Sequence, residues 1–182
     1  PDHSCWVTEE SLSQTMCGAA RPGHFRGVTT VVLKLFNITR CDVAVFGRKD
    51  AQQALIICRM VRDLNVPVEI VVAPLVREPD GLAMSSRNKY LLGDQRPAAT
   101  VLNRALRAAE HLWAAGTRNG EALRRAMLAV LAAEPLAQVD YVSAADPTTL
   151  TEWAIDIPSG AGVLLLSLIH ISAPTRLLTL SY

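Results

Sequence analysis

Asp42-Val43-Ala44-Val45-Phe46-Gly47 is a short apolar run closed by a glycine, and Pro67-Val68-Glu69-Ile70-Val71-Val72-Ala73 is a second, stopped by Pro74. Between them, from about Ala51 to Leu64, Ile57, Val61 and Leu64 recur on one face of a helical stretch, with Asp50 at its capping position. Apolar runs of this length read as buried strands. Strand, helix and strand joined by short connections predict a parallel sheet covered by helices. Such sheets hold ligands beyond the carboxyl ends of their strands, so function is to be sought after Gly47 and after Ala73.

Upstream, Val28, Val31, Val32, Leu35 and Phe36 fall at i, i+3, i+4, i+7 and i+8, which predicts an amphipathic helix. Arg21-Pro22-Gly23-His24-Phe25-Arg26-Gly27 reads as a turn without regular structure. Thr8–Cys17 reads as a short helix, with Ser11 and Gln14 as a capping box and Gly18 as its C-terminal glycine. Downstream, residues 78–88 are polar and irregular. Leu102, Leu106, Ala109 and Trp113 predict a helix stopped by Gly116, and Leu123, Met127, Val130 and Leu131 another before Pro135. Val139–Val142 and Gly162–Leu168 read as strands. The shift to Ala-rich helices after Pro97 places a domain boundary between Pro74 and Asp80. The expected class is an incomplete α/β sheet followed by a small α+β unit.

The 182 residues are 50% hydrophobic and 19% charged, which supports a packed core and excludes wholesale disorder. A net charge of +1 gives no basic excess for nucleic acid. The longest apolar run, Val163–Leu168, is too short to span a bilayer. Four cysteines without a C-x-x-C pair point to free thiols in a reducing, cytoplasmic compartment. No His or Cys cluster has metal-ligand spacing. The chain opens Pro-Asp-His, with neither an initiator methionine nor a signal peptide, and is expected to be a fragment.

Three polar clusters carry candidate chemistry. In Phe46-Gly47-Arg48-Lys49-Asp50-Ala51-Gln52-Gln53, a strand ends, a glycine admits a ligand, and a helix begins. The free N–H groups of a helix start suit an anion, and Lys49 adds a full charge. Asp50 either accepts from a ribose hydroxyl or caps the helix. Successive helical residues diverge by about 100°, so only one of Gln52 and Gln53 is expected to face a ligand. The bland alternative is a capped helix with a solvated lysine. In Asp80–Leu91, Ser85, Ser86 and Arg87 can donate to phosphate oxygens, or form an ordinary Ser/Asn turn. In Arg21–Gly27, Arg21, His24 and Arg26 either meet an anion or decorate a turn.

In order, R-P-G-H-F-R-G-V, F-G-x-K-D-x-Q-Q and D-G-L-A-M-S-S-R-N-x-Y-L closely resemble the pantoate–β-alanine ligase family over about residues 12–165. The resemblance implies a Rossmann-type, nucleotidyltransferase-like domain, of which residues 1–75 are the C-terminal part, and a small α+β domain over 76–166. It implies a dimeric cytoplasmic enzyme that uses ATP and magnesium to activate pantoate as an acyl adenylate, which the amine of β-alanine then attacks. Matched by position, Gly47, Arg48, Lys49 and Asp50 fall in an ATP-binding stretch and Gln53 on a pantoate contact. Val76 falls on a backbone contact to adenine, and Met84, Ser85, Ser86 and Arg87 on a phosphate-binding signature. Lys49, Ser85 and Arg87 are the expected catalytic residues, offsetting charge that grows on the phosphates. No metal ligand is assigned.

The chain departs from the family in three places. The family's H-x-G-H phosphate element and an earlier pantoate-binding glutamine are absent, so the polypeptide alone is expected to be inactive. A noncatalytic nucleotide-binding or dimerisation fragment is the alternative reading, and another adenylyltransferase of the same fold is a third. Arg48 stands where the family has glutamate. Residues 167–182 resemble a translated sequencing-library adapter and are expected to be non-native, with a natural divergent strand as the alternative; His170 is given no role.

Overall fold

A computed structural model describes residues 2–171 and 179–181. The chain divides into two compact units, Pro1–Pro74 and Leu75–Tyr182.

The first unit runs α1 (Cys17–Ala20), α2 (His24–Thr39), β1 (Val43–Gly47), α3 (Ala51–Asp63) and β2 (Glu69–Ala73). The strands pair in parallel, Val43 opposite Glu69 and Gly47 opposite Ala73. A parallel pair cannot be closed by a tight turn, and α3 is the crossover. Its inner face buries Ile56 and Ile57 completely and Met60 nearly so, at about 1.5–3 kcal/mol per side chain. Phe36, Ile57 and Met60 form a core against which Ala44, Phe46 and Ile70 of the inner sheet face pack.

The N-terminal expectations need correction. Thr8–Cys17 is not one helix. A 3-10 turn at Leu12–Gln14 and the single-turn α1 flank Met16, whose φ is +51°. Ser11 makes no side-chain cap. The Glu9 carboxylate instead accepts the N–H groups of Ser11, Leu12 and Ser13 at 3.1, 3.0 and 2.8 Å. Gly18 does not end a helix; a Cβ there would lie 1.7 Å from the Ser13 carbonyl oxygen, so only glycine permits the approach. The expected turn over Arg21–Gly27 is a turn only to Gly23, whose φ of +79° swings the chain into α2 at His24. The apolar stripe of α2 is split: Phe36 is buried while Val31 and Leu35 are exposed.

The second unit holds α4 (Gln95–Ala99), α5 (Val101–Ala114), α6 (Gly120–Ala132), β3 (Ala137–Ala145), β4 (Leu164–Ile171) and β5 (Thr179–Ser181). The strands form an antiparallel sheet in the order β3-β4-β5. Leu102, Ala105 and Ala109 of α5 and Leu123, Met127 and Leu131 of α6 are wholly buried in one cluster with Ile169 and Ile171 of β4. Both helices match their sequence periodicity, and Asn119 caps α6 by accepting the Ala122 N–H at 2.8 Å. The sequence boundary at Leu166 falls inside β4, whose pairing with β3 continues to Ile171. His170 Nε2 lies 2.6 Å from Asp140 Oδ2 on the facing strand. Residues 172–178 and Tyr182, the remainder of the segment expected to be non-native, lie outside the described residues.

The strands are not buried as expected: the outer face of the β1–β2 pair is open and mostly apolar, with Val43 48% and Val45 66% exposed and Val71 beside them. Exposed apolar faces on sheets with unpaired edges favour association. Val45→Thr is expected to reduce concentration-dependent light scattering while leaving thermal stability nearly unchanged. Ile57→Ala is expected to cost about 2–5 kcal/mol in a urea titration. Equal effects of the two on stability would contradict the placement of these faces.

Candidate functional site

The β1 carboxyl end is built as follows. Gly47 has ordinary extended geometry, φ −80° and ψ 138°, and a Cβ there would meet nothing within 4 Å. Neither backbone conformation nor packing therefore requires a glycine. A 3-10 turn, Arg48–Asp50, leads into α3. The Lys49 side chain is largely covered, 16% exposed, and its Nζ lies 3.6 Å from Asp50 Oδ1. Asp50 stands at the capping position of α3, but its side chain makes no cap bond, so the capping expectation is met in position and not in chemistry.

The two glutamines separate cleanly. Gln52 is buried and belongs to the fold: Oε1 accepts the Cys17 N–H at 3.1 Å, and Nε2 donates to the Leu12 and Thr15 carbonyls, both at 2.8 Å. Gln53, one residue on and half-buried, makes no side-chain hydrogen bond among the described residues. Nearby charges also act on His24. Partial burial, then the positive charge of Arg21, lower its pKa, against an opposing pull from Asp50; the neutral imidazole is favoured. Arg21 and Arg26 line an open cavity of about 530 Å³ with Thr8, Glu9 and Ser13.

In the second unit, the stretch expected to be irregular is an ordered hairpin. Arg77 pairs with Ala83, the Met84 N–H reaches the Val76 carbonyl at 2.9 Å, and the Glu78 N–H reaches the Leu82 carbonyl at 2.7 Å. Pro79-Asp80-Gly81 turns it, with Gly81 at φ +88°. Leu82 and Ala83 are buried, whereas the side chains of Val76 and Met84 are exposed. A 3-10 turn, Ser86–Tyr90, follows. Ser85 Oγ accepts the Arg87 N–H at 3.2 Å, which leaves its hydroxyl proton available to donate. Ser86 and Arg87 are exposed.

Sequence reasoning missed the polar girdle of this hairpin. Arg96 donates to Glu78 Oε2 at 2.6 Å and to Asp80 Oδ2 at 2.8 Å. Hydrogen bonds from Arg96 and then Asn88 hold the Glu78 carboxyl below its usual range. The Leu82 N–H, then Arg96, does the same for Asp80. The one available signal was the clustering of Glu78, Asp80, Asn88 and Arg96 around a Pro-Asp-Gly turn.

A parallel β–α–β unit of Rossmann type, followed by a small α+β unit in which a hairpin leads into a serine- and arginine-bearing 3-10 turn, defines the class as α/β. Within that class the chain belongs to the pantoate-beta-alanine ligase family, whose sequence profile matches residues 2–179. The chain is 58% identical over 156 residues to a pantothenate synthetase of Chloroflexus aggregans, covering 86% of this chain and 56% of that one. It is 62% identical over 152 residues to one of Roseiflexus sp., covering 84% and 55%. It thus spans about half the length of these relatives. The crystal structure of pantothenate synthetase from Thermus thermophilus superposes with a TM-score of 0.86 at 40% identity, covering 98% of this chain and 63% of that one. That of pantoate-beta-alanine ligase from Francisella tularensis, complexed with beta-gamma ATP and beta-alanine, superposes at 0.68 with 25% identity, covering 98% and 58%.

Two outcomes follow from this geometry. Gln52→Ala strips three backbone groups of their partners and is expected to destabilise the first unit by about 1–3 kcal/mol or more. Gln53→Ala is expected to leave urea stability within about 0.5 kcal/mol. The second concerns pH. Glu78 and Asp80 have depressed folded-state pKa values, so their contribution is complete above the ordinary carboxylate pKa and is lost as pH falls through the folded value. Amide protection in the 76–84 hairpin, corrected for intrinsic exchange, should hold from neutrality to about pH 4 and fall below it.

Proposed function

We propose that this chain carries part of the machinery of an ATP-dependent ligase that joins pantoate to β-alanine. The observation that supports this best is Gly47, a glycine demanded by neither geometry nor packing, at the strand end beside a covered lysine. A ligand that approaches the backbone gives it a reason. Its neighbours fit the family's residues: Lys49 and Asp50 toward ATP, and Gln53, left over once Gln52 is used by the fold, toward pantoate. In the second unit, the Val76 backbone is assigned to adenine, and Met84, Ser85, Ser86 and Arg87 to the phosphates.

The reaction has two steps. A pantoate carboxylate oxygen attacks the α-phosphorus of ATP and pyrophosphate leaves, giving pantoyl adenylate. The amine of β-alanine then attacks the acyl carbon, AMP leaves with the bonding pair, and the nitrogen gives up a proton. Lys49, Ser85 and Arg87 are assigned to the negative charge that is redistributed as pyrophosphate departs. Magnesium belongs to the proposal only as a companion of ATP. Among the described residues no three His, Cys, Asp or Glu side chains gather to hold a metal, so no step is derived through it. Homodimerisation and a cytoplasmic location complete the reading; the four free cysteines fit a reducing compartment. No described helix is long and apolar enough to cross a membrane.

The 182-residue polypeptide, which contains no H-x-G-H element, is expected to bind ATP without making pantothenate. Joined to a family opening segment that carries H-x-G-H, it is expected to release pyrophosphate only when pantoate is present. In that protein Lys49→Ala and Arg87→Ala should each lower kcat about a hundredfold, while Gln53→Ala should chiefly raise the pantoate KM. Pyrophosphate release independent of pantoate would favour another adenylyltransferase. ATP binding without turnover in the joined protein would favour a noncatalytic nucleotide-binding module.

A further inference from the structure

The 3-10 turn that follows the hairpin and carries Ser86 and Arg87, with Ser85 at its cap, is tied to the hairpin and to α4 by side chains to which no role in the reaction has been given. Asn88 is 5% exposed. Its Nδ2 donates to Glu78 Oε1 and, at 2.9 Å, to the Ala83 carbonyl. Both amide hydrogens therefore point at acceptors, which fixes the orientation of the carboxamide. The other Glu78 oxygen, Oε2, accepts from Arg96 Nη2 at 2.6 Å. Arg96 also grips Asp80 Oδ2 through Nε at 3.0 Å and Nη2 at 2.8 Å. The Glu78 carboxylate thus couples Asn88, the residue after Ser85–Arg87, to Arg96 of α4, and Arg96 in turn holds the hairpin turn at Asp80. The backbone closes the arrangement: the Asn88 N–H reaches the Ser85 carbonyl at 3.0 Å, and the Leu91 N–H reaches the Asn88 carbonyl at 3.1 Å.

None of the three side chains is itself one of the phosphate donors. They lie beside those donors, Asn88 being the residue directly after Arg87. A Ser-Ser-Arg stretch free to wander must lose that freedom on each binding event, whereas one held in place meets phosphate without that ordering cost. We infer that Glu78, Asn88 and Arg96 are positioning residues that hold Ser85, Ser86 and Arg87 in a phosphate-receiving arrangement, acting through the Asn88 carboxamide. This rests on the proposed ATP-dependent function and deepens it.

The discriminating substitution is Asn88→Asp, which keeps size and shape but sets a carboxylate oxygen against the acceptors Glu78 and Ala83. Arg96→Lys, which keeps the charge and loses the planar fork, is the conservative companion. The 182-residue chain is titrated with ATP and, separately, with adenosine, and amide exchange is followed across the chain. The unaltered chain is expected to show slower exchange at residues 84–90 with ATP. Asn88→Asp is expected to speed exchange there about tenfold or more without ligand, and to weaken ATP by a similar factor. Adenosine affinity and protection in α5 and α6 should stay unchanged, because adenine is assigned to Val76 and those helices to the core. Arg96→Lys should fall between. Equal loss of ATP and adenosine, or loss of protection throughout the second unit, would mean a merely structural role and would overturn the inference. So would an Asn88→Asp chain that binds ATP as the unaltered one does. If ATP leaves residues 84–90 of the unaltered chain unprotected, the functional reading fails and this inference falls with it.

Discussion

Parallel pairing of two short strands is the constraint on which the first unit depends. Because β1 and β2 run the same way, the chain must cross back over the sheet, and α3 is that crossing. The crossing fixes the face of α3 that is buried, through Ile56, Ile57 and Met60. It also puts the carboxyl ends Gly47 and Ala73 in register at one end of the sheet. Lys49, Asp50 and Gln53 sit at that end because the strand stops and the helix starts there.

Each unit solves the same backbone problem with a buried carboxamide. The backbone of residues 12–17 of the first unit and 83–90 of the second is largely 3-10 turn and loop, and several of its N–H and C=O groups need partners that a long helix or a sheet would otherwise supply. Gln52 serves the Leu12, Thr15 and Cys17 groups, and Asn88 serves Ala83 while reaching Glu78. In both places the residues assigned to ligands are immediate neighbours of the buried amide: Gln53 beside Gln52, and Ser85–Arg87 just before Asn88.

Apolar side chains do not all end inside. Val43, Val45 and Val71 on the sheet, and Val31 and Leu35 on α2, keep large exposed areas. In the second unit the apolar residues of α5, α6, β3 and β4 close into one cluster. The contrast is one of topology. A two-stranded sheet with helices packed on one side leaves its other side open, whereas the long antiparallel β3–β4 pair is covered by α5 and α6.

The sequence by itself determined the class of fold and the places where chemistry gathers. Apolar runs closed by glycine or proline and periods of three to four residues are properties of neighbouring side chains, so β1, α3, β2, α5 and α6 were legible from pattern alone, as were the polar clusters after β1 and around the 76–84 hairpin. The family resemblance rested on those same clusters. What only the tertiary structure decided was what distant groups do to local preference. Thr8–Cys17 reads locally as a helix, but Gln52, some forty residues on, takes the very carbonyls and N–H that a helix would have used. Its neighbour Gln53 is indistinguishable by type, and only packing against residues 12–17 sorted the buried, bonded glutamine from the half-buried one beside it. The girdle of Glu78, Asn88 and Arg96 likewise has no periodic signature: the polar residues cluster around the Pro-Asp-Gly turn, but which of them pair across ten and eighteen residues is set by the fold.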